Sequence, residues 1–188
     1  MENFDDLVEG TINQQDGWVD TYENCIIQSA KAFGGAGKAL QLALPADVGK
    51  VFSETGKDGV VTIGLSLLLE DPLAKVVVRA YDPEGKSIMM FFHDERDYWG
   101  IQYQGQTWKT VSAGITPEVW IDVVIRLDFS SKQFTVEVDT GSGFTTLWSG
   151  MGFIDDESTG FARLALIRYE GQGDPSPIYV DNIEIRQD

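Results

Sequence analysis

Histidine and cysteine are nearly missing from this chain, whose 188 residues hold one of each. With His93 alone, a histidine-based triad or a multi-histidine zinc site would rest on a single side chain. His93 ends an apolar stretch beside Asp94, the setting of a strand-end histidine bonded to a neighbour. Cys25 has no partner for an internal disulfide, and in Asn24-Cys25-Ile26-Ile27 it reads as a small buried hydrophobe. Positive charge is also scarce. Fourteen Lys and Arg stand against 30 Asp and Glu, a formal net charge of −16. That argues against nucleic acid and anionic membranes, which call for Lys/Arg patches. The acidic residues are scattered, which fits a solubilising surface and leaves some carboxylates for calcium. Apolar runs are only strand-sized, so membrane insertion is not expected. No signal peptide is visible. No Gly-rich phosphate loop exists either, because Gly34-Gly35-Ala36-Gly37 precedes a strand pattern rather than a helix. A sustained 3.6-residue period is missing; only residues 157–163 could form a helix, and Gly160 counts against it.

What is present is strand after strand. Residues 37–44 (GKALQLAL), 60–69 (VVTIGLSLLL), 75–81 (KVVVRAY) and 86–93 alternate or are β-branched, with Gly64 a candidate bulge. Asp82-Pro83-Glu84-Gly85 reads as a turn, because Pro presets φ and Gly accepts positive φ. Residues 98–103 (YWGIQY) meet 106–111 through Gln104-Gly105. Residues 119–129 set Val119, Ile121, Val123, Ile125, Leu127 and Phe129 on one face, which should meet the core. Residues 133–138, 144–148, 161–169 and 178–185 complete the set. Short strands at this spacing predict an all-β sandwich or barrel, as a single domain over 1–188. Both ends read as strands with an acid among apolar residues. A first strand paired with a last would bring Asp5 to Asp181, a buried carboxylate pair that a hard cation would neutralise. The start at Met1 directly on strand-like sequence suits a domain excised from a larger protein.

These segments carry a resemblance. The opening NFDDLVEGTINQQDGW (residues 3–18) resembles the start of concanavalin A-like, laminin-G-like jelly-roll domains of secreted bacterial proteins. GAGKALQL (35–42) is similar to their second strand. VWIDVVIRLDF with FTVEV (119–129, 134–138) resembles their long hairpin, and YVDNI (179–183) their closing strand. The resemblance implies a two-sheet antiparallel jelly-roll β-sandwich with adjacent N- and C-terminal strands. It also implies a structural calcium held by Asp5 and Asp181, with Glu2 and Asn3 as further oxygen donors. Secretion or surface display, and other modules of a parent chain as neighbours, follow from the same likeness.

Relatives of this kind bind or cut polysaccharides. Retaining glycanases of the fold need two carboxyls about 5 Å apart. The nearest candidate, Asp94-Glu95-Arg96-Asp97, has the wrong spacing and reads as a solvated loop. Lyases of the fold use Tyr with His, plus Arg or Gln. His93, Arg96, Tyr98, Gln102 and Tyr103 are of those types, but their spacing matches no lyase motif and a −16 surface would repel a polyanion. The expectation is therefore a non-catalytic, glycan-binding module. Flat aromatic rings stack on sugar faces while amides and guanidiniums bond hydroxyls. Alternation puts Tyr98, Gln102 and Gln104 on one face of 98–104 and Trp99, Ile101 and Tyr103 on the other. The candidate ligand set is His93, Tyr98, Trp99, Gln102, Gln104, Trp108 and Arg168. The alternatives are a structural or adhesion spacer, and a small lyase or glycanase.

Overall fold

The computed structural model describes residues 4–55, 59–169 and 176–188. Fifteen strands run in chain order: β1 (Gly10–Thr11), β2 (Trp18–Asp20), β3 (Ile26–Gln28), β4 (Ala39–Leu42), β5 (Ala46–Thr55), β6 (Val60–Leu69), β7 (Val76–Tyr81), β8 (Ser87–Asp94), β9 (Tyr98–Tyr103), β10 (Thr107–Ser112), β11 (Trp120–Asp128), β12 (Gln133–Asp139), β13 (Thr145–Gly152), β14 (Phe161–Arg168) and β15 (Ile178–Gln187). Three single 3-10 turns are the only helical pieces among the described residues. Residues 157–163 form no helix; Phe161 already opens β14.

Two antiparallel sheets face each other. One has the order β1-β3-β4-β15-β6-β11-β12-β13 and the other β10-β9-β8-β7-β14-β5-β2. The expected jelly-roll sandwich is thus present. Its core is the sum of inward alternation from both sheets. Ile121, Val123, Ile125 and Leu127 of β11 meet Met89 and Phe91 of β8, Trp99 and Ile101 of β9, and Leu164 and Leu166 of β14 in one buried cluster. Val119 departs from the expected core set and is 39% exposed.

Local chemistry fixes the hairpins. In the β7–β8 turn, Gly85 at φ +81° donates its N–H to the Asp82 carbonyl, and Lys86 N–H donates to Asp82 Oδ1. In the β11–β12 turn, Asp128 accepts from the N–H groups of Ser130 and Ser131 and from the Ser131 hydroxyl. The Ser131 hydroxyl, ahead of those N–H groups, holds the Asp128 carboxyl below its usual value despite some burial. Gly64 is not itself bulged. It pairs with Val124 and Glu184, and the register shift lies on β15 between Asp181 and Glu184.

The ends meet differently from the expectation. β15 lies between β4 and β6, while β1 pairs with β3, so the first and last strands share a sheet without touching edge to edge. Asp5 sits in a turn closed by Leu7 N–H donating to the Phe4 carbonyl, not in a strand.

Candidate functional site

The register of the seven-stranded sheet assembles its outer face. Gly49, Ala165, Arg79, Met90, Gln102 and Trp108 stand directly opposite one another, strand by strand, from β5 to β10. At ~4.8 Å per strand this row runs roughly 24 Å. A flanking row carries Asp47, Ile167, Val77, Phe92, Gly100 and Thr110. Arg163 and Tyr81 pair on the other flank.

The floor of this face is apolar and shielded. Val77, Met90, Ala165 and Ile167 are buried although they point away from the main core, because Tyr81, Phe92 and Ile154 pack over them. Glycine is required at position 100: a Cβ there would lie 2.0 Å from the Phe92 ring, which rests on the bare backbone. Phe92 in turn meets the edge of Trp108 at 5.4 Å between centroids and 70° between planes. Trp108 is thereby braced while 53% exposed. Beside it Gln102 is buried, yet its amide makes no hydrogen bond to a described residue. Tyr98 completes this end, with the Arg96 guanidinium 5.6 Å from its ring centre.

The other end is cationic. Arg79 lies 5.8 Å and Arg163 5.3 Å from the centre of the Tyr81 ring. Arg79 Nη1 donates to the Tyr81 hydroxyl at 3.3 Å, while its Nε is closed off from solvent without a hydrogen-bond partner. Among the described residues Arg163 has one acidic partner, Asp47, at 3.7 Å. A hollow of about 220 Å³ opens here, lined by Tyr22, Asp47, Arg79, Tyr81, Arg168 and Tyr169.

Of the expected ligand residues, Tyr98, Gln102 and Trp108 come together on this face. Trp99 does not. It is buried in the main core, stacked on Phe91 at 5.0 Å. His93 is also interior: Nδ1 donates to the Ala74 carbonyl at 2.8 Å, Nε2 faces Asp97 Oδ1 at 3.3 Å, and Trp99 packs edge-on. The candidate lyase set therefore loses its histidine. Gln104 lies on the turn after β9, where its side chain rests against Gly152 of β13. Arg168 shares the inward register of Leu164 and Leu166, and its Nη1 donates to the Leu42 carbonyl at 2.9 Å. Sequence reasoning missed Arg79, Tyr81, Phe92 and Arg163. The signal was there, since Arg79 and Tyr81 alternate with the apolar Val76, Val78 and Ala80.

At the expected metal site, Asp181 is buried and its two carboxylate oxygens accept from Phe33 N–H at 3.0 Å and Asn182 N–H at 2.7 Å. Burial pushes this carboxyl above its usual value; those two N–H groups pull it back, and the charge of Asp5 adds to the rise. Asp5 Oδ1 accepts from Lys38 N–H at 2.7 Å, and Lys38 Nζ holds the carbonyls of Asp5 and Leu7. Glu2 and Asn3 lie outside the described residues. Among the described residues no group of three or more His, Cys, Asp or Glu could hold a metal. The two acids here are the exposed Asp5 and the buried Asp181, whose charges oppose one another.

A second hollow, about 310 Å³, lies on the outer face of the eight-stranded sheet. Its polar groups are largely spent on each other: Ser66 donates to Asp122 at 2.5 Å, and Asn182 Nδ2 is 3.5 Å from Ser66 Oγ.

Two antiparallel sheets with this outer face define a concanavalin A-like jelly-roll sandwich. Solved structures bear out the fold. A sialidase superposes with a TM-score of 0.69 at 12% identity, over 98% of this chain and 18% of the sialidase chain, so this chain spans less than a fifth of it. Alginate lyase Aly36B in complex with alginate trisaccharide gives 0.65 at 12% identity, over 99% and 96% of the two chains. Lectin II from Ulex europaeus gives 0.59 at 12% identity, over 94% and 98%. No family model matches the chain, and no curated protein matches it.

Proposed function

We infer that this chain is a non-catalytic glycan-binding module of a secreted or cell-surface protein, with the glycan lying along the outer face of the seven-stranded sheet. One observation carries the reading: an exposed tryptophan, Trp108, braced edge-on by Phe92, stands directly across from the amide side chain of Gln102. A held ring offers a sugar face a flat apolar surface without fresh loss of rotamer freedom, and the adjacent amide can bond hydroxyls. Structural neighbours that include a lectin and a lyase with bound alginate trisaccharide support a sandwich used on carbohydrate. The described residues include no helix able to cross a membrane.

Affinity electrophoresis of the full chain through gels containing soluble polysaccharides tests this. The folded protein should be retarded by at least one glycan. Trp108→Ala should weaken retardation about tenfold, whereas Trp120→Ala, on the eight-stranded sheet, should not. Absence of retardation by every glycan would leave a spacer or adhesion role. Release of new polysaccharide ends during the run would make the chain an enzyme. As the second part of the proposal, Asp5 and Asp181 bind calcium as a structural ion; Glu2 and Asn3 are the further donors this assignment names.

A further inference from the structure

We propose that the Arg79–Tyr81–Arg163 end of the outer face is a subsite for the carboxylate of an acidic sugar, so that the glycan read above contains uronate residues. The inference rests on that glycan reading and adds the ligand's charge to it. In a chain of net charge −16, two guanidiniums converge on one tyrosine ring, and among the described residues the one carboxylate paired with either is Asp47, 3.7 Å from Arg163. At that distance Asp47 forms an ion pair with Arg163 without a hydrogen bond, so the N–H groups of the Arg163 fork are not spent on it. Arg79 has no acidic partner among the described residues, and its Nε is buried without a hydrogen bond. A guanidinium left in that state costs stability unless a ligand or water meets its charge. The centre of the Tyr81 ring lies 5.8 Å and 5.3 Å from the two guanidiniums and its hydroxyl accepts from Arg79 Nη1, which holds the two cations side by side; a pair of forked donors so held suits a planar carboxylate.

Position strengthens the assignment. Arg79 and Trp108 stand in the same cross-strand row, three strands apart, roughly 14 Å at ~4.8 Å per strand. An extended glycan stacked on Trp108 and bonded by Gln102 would bring a later sugar over Arg79 and the adjoining 220 Å³ hollow. The −16 surface opposes a polyanion at long range. That repulsion is screened beyond about 8 Å at ~0.15 M salt, while contact pairs are not.

The test compares a uronate polymer with the same polymer after its carboxyl groups have been reduced to alcohols, at ~0.15 M salt. Retardation of the wild-type chain should be about tenfold to a hundredfold stronger in the acidic form. Arg79→Gln and Arg163→Gln should each remove most of that difference without changing the weaker binding to the reduced polymer. Arg79→Lys should recover only part of it, because a point charge lacks the fork. Arg126→Gln, on the eight-stranded sheet and paired there with Glu137, should change nothing. If a variant fails to fold, as read from its melting curve, the wild-type comparison decides alone. Equal retardation by the two polymers overturns the subsite and leaves the glycan reading standing. Stronger retardation by a sulfated glycan than by the uronate polymer overturns the carboxylate assignment in favour of a sulfate. No retardation by any glycan overturns the glycan reading, and the subsite with it.

Discussion

Cys25 is the least reactive kind of thiol. It is fully buried, and its N–H donates to Asp20 Oδ2 at 2.7 Å. Burial first, and then the charge of Asp20, push the thiol up to about 12. Since the thiolate is the nucleophile, Cys25 should give no reaction with a disulfide reagent at pH 8 in the folded chain, and one full equivalent on unfolding. Rapid reaction of the native protein would show that the β2–β3 region opens. This residue was readable from its apolar neighbours. Trp99 and Arg168 were readable too, but by parity rather than by chemistry. Trp99 shares its face with Ile101 and Arg168 with Leu166, and in each strand the inward register decided the matter over the side chain's capacity to bind sugar.

At the scale of elements, the proposed binding face depends on Gly100. Its missing Cβ is what lets the Phe92 ring approach β9 this closely while bracing Trp108. Gly100→Ala should swing the Phe92 ring aside, a movement open to the far end of a side chain. The expected result is a melting temperature lowered by a few degrees, equivalent to about 1 kcal/mol, with glycan retardation reduced as in Trp108→Ala. Unchanged retardation would mean that Trp108 binds without its brace, or does not bind. Most strands could be read from sequence, and β6 and β9 have the predicted limits. β5 could not. Its outward residues are Asp47, Gly49 and Val51, and Lys50 occupies an inward register where it pairs with Asp16 at 2.6 Å, so the alternation is blurred. The short β1, β2 and β3 are too brief to show a period. The cationic end was hidden for a further reason. Arg79, Arg163 and Asp47 lie on three strands far apart in sequence, and only the pairing of β5, β14 and β7 brings them together.

For the whole molecule, the seam between the chain's start and its last strand links folding to the protonation of Asp181. Asp181 holds its proton more tightly in the folded chain than in the unfolded one, first because of burial, with Asp5 adding to it. The stability that comes from this excess affinity is complete below the ordinary carboxylate value of 3.8, declines as pH rises through the folded value, and is gone at neutral pH. In chelator, Asp181→Asn should therefore flatten the part of the stability profile that falls with rising pH just above 3.8. Alanine is a poorer probe, since it would also strip Phe33 N–H and Asn182 N–H of their acceptor and cost about 1–3 kcal/mol. On the calcium proposal, the ion takes the proton's place at neutral pH. Millimolar calcium should raise the wild-type melting temperature, and the rise should shrink as protons compete below about pH 5. In Asp181→Asn the rise should be largely lost. A net charge of −16 makes any added salt stabilising to some degree by screening self-repulsion, so sodium chloride at matched ionic strength is the necessary comparison. If sodium and calcium raise the melting temperature equally, and equally in Asp181→Asn, the seam binds no ion, and its two carboxylates are a repulsion that the rest of the sandwich withstands.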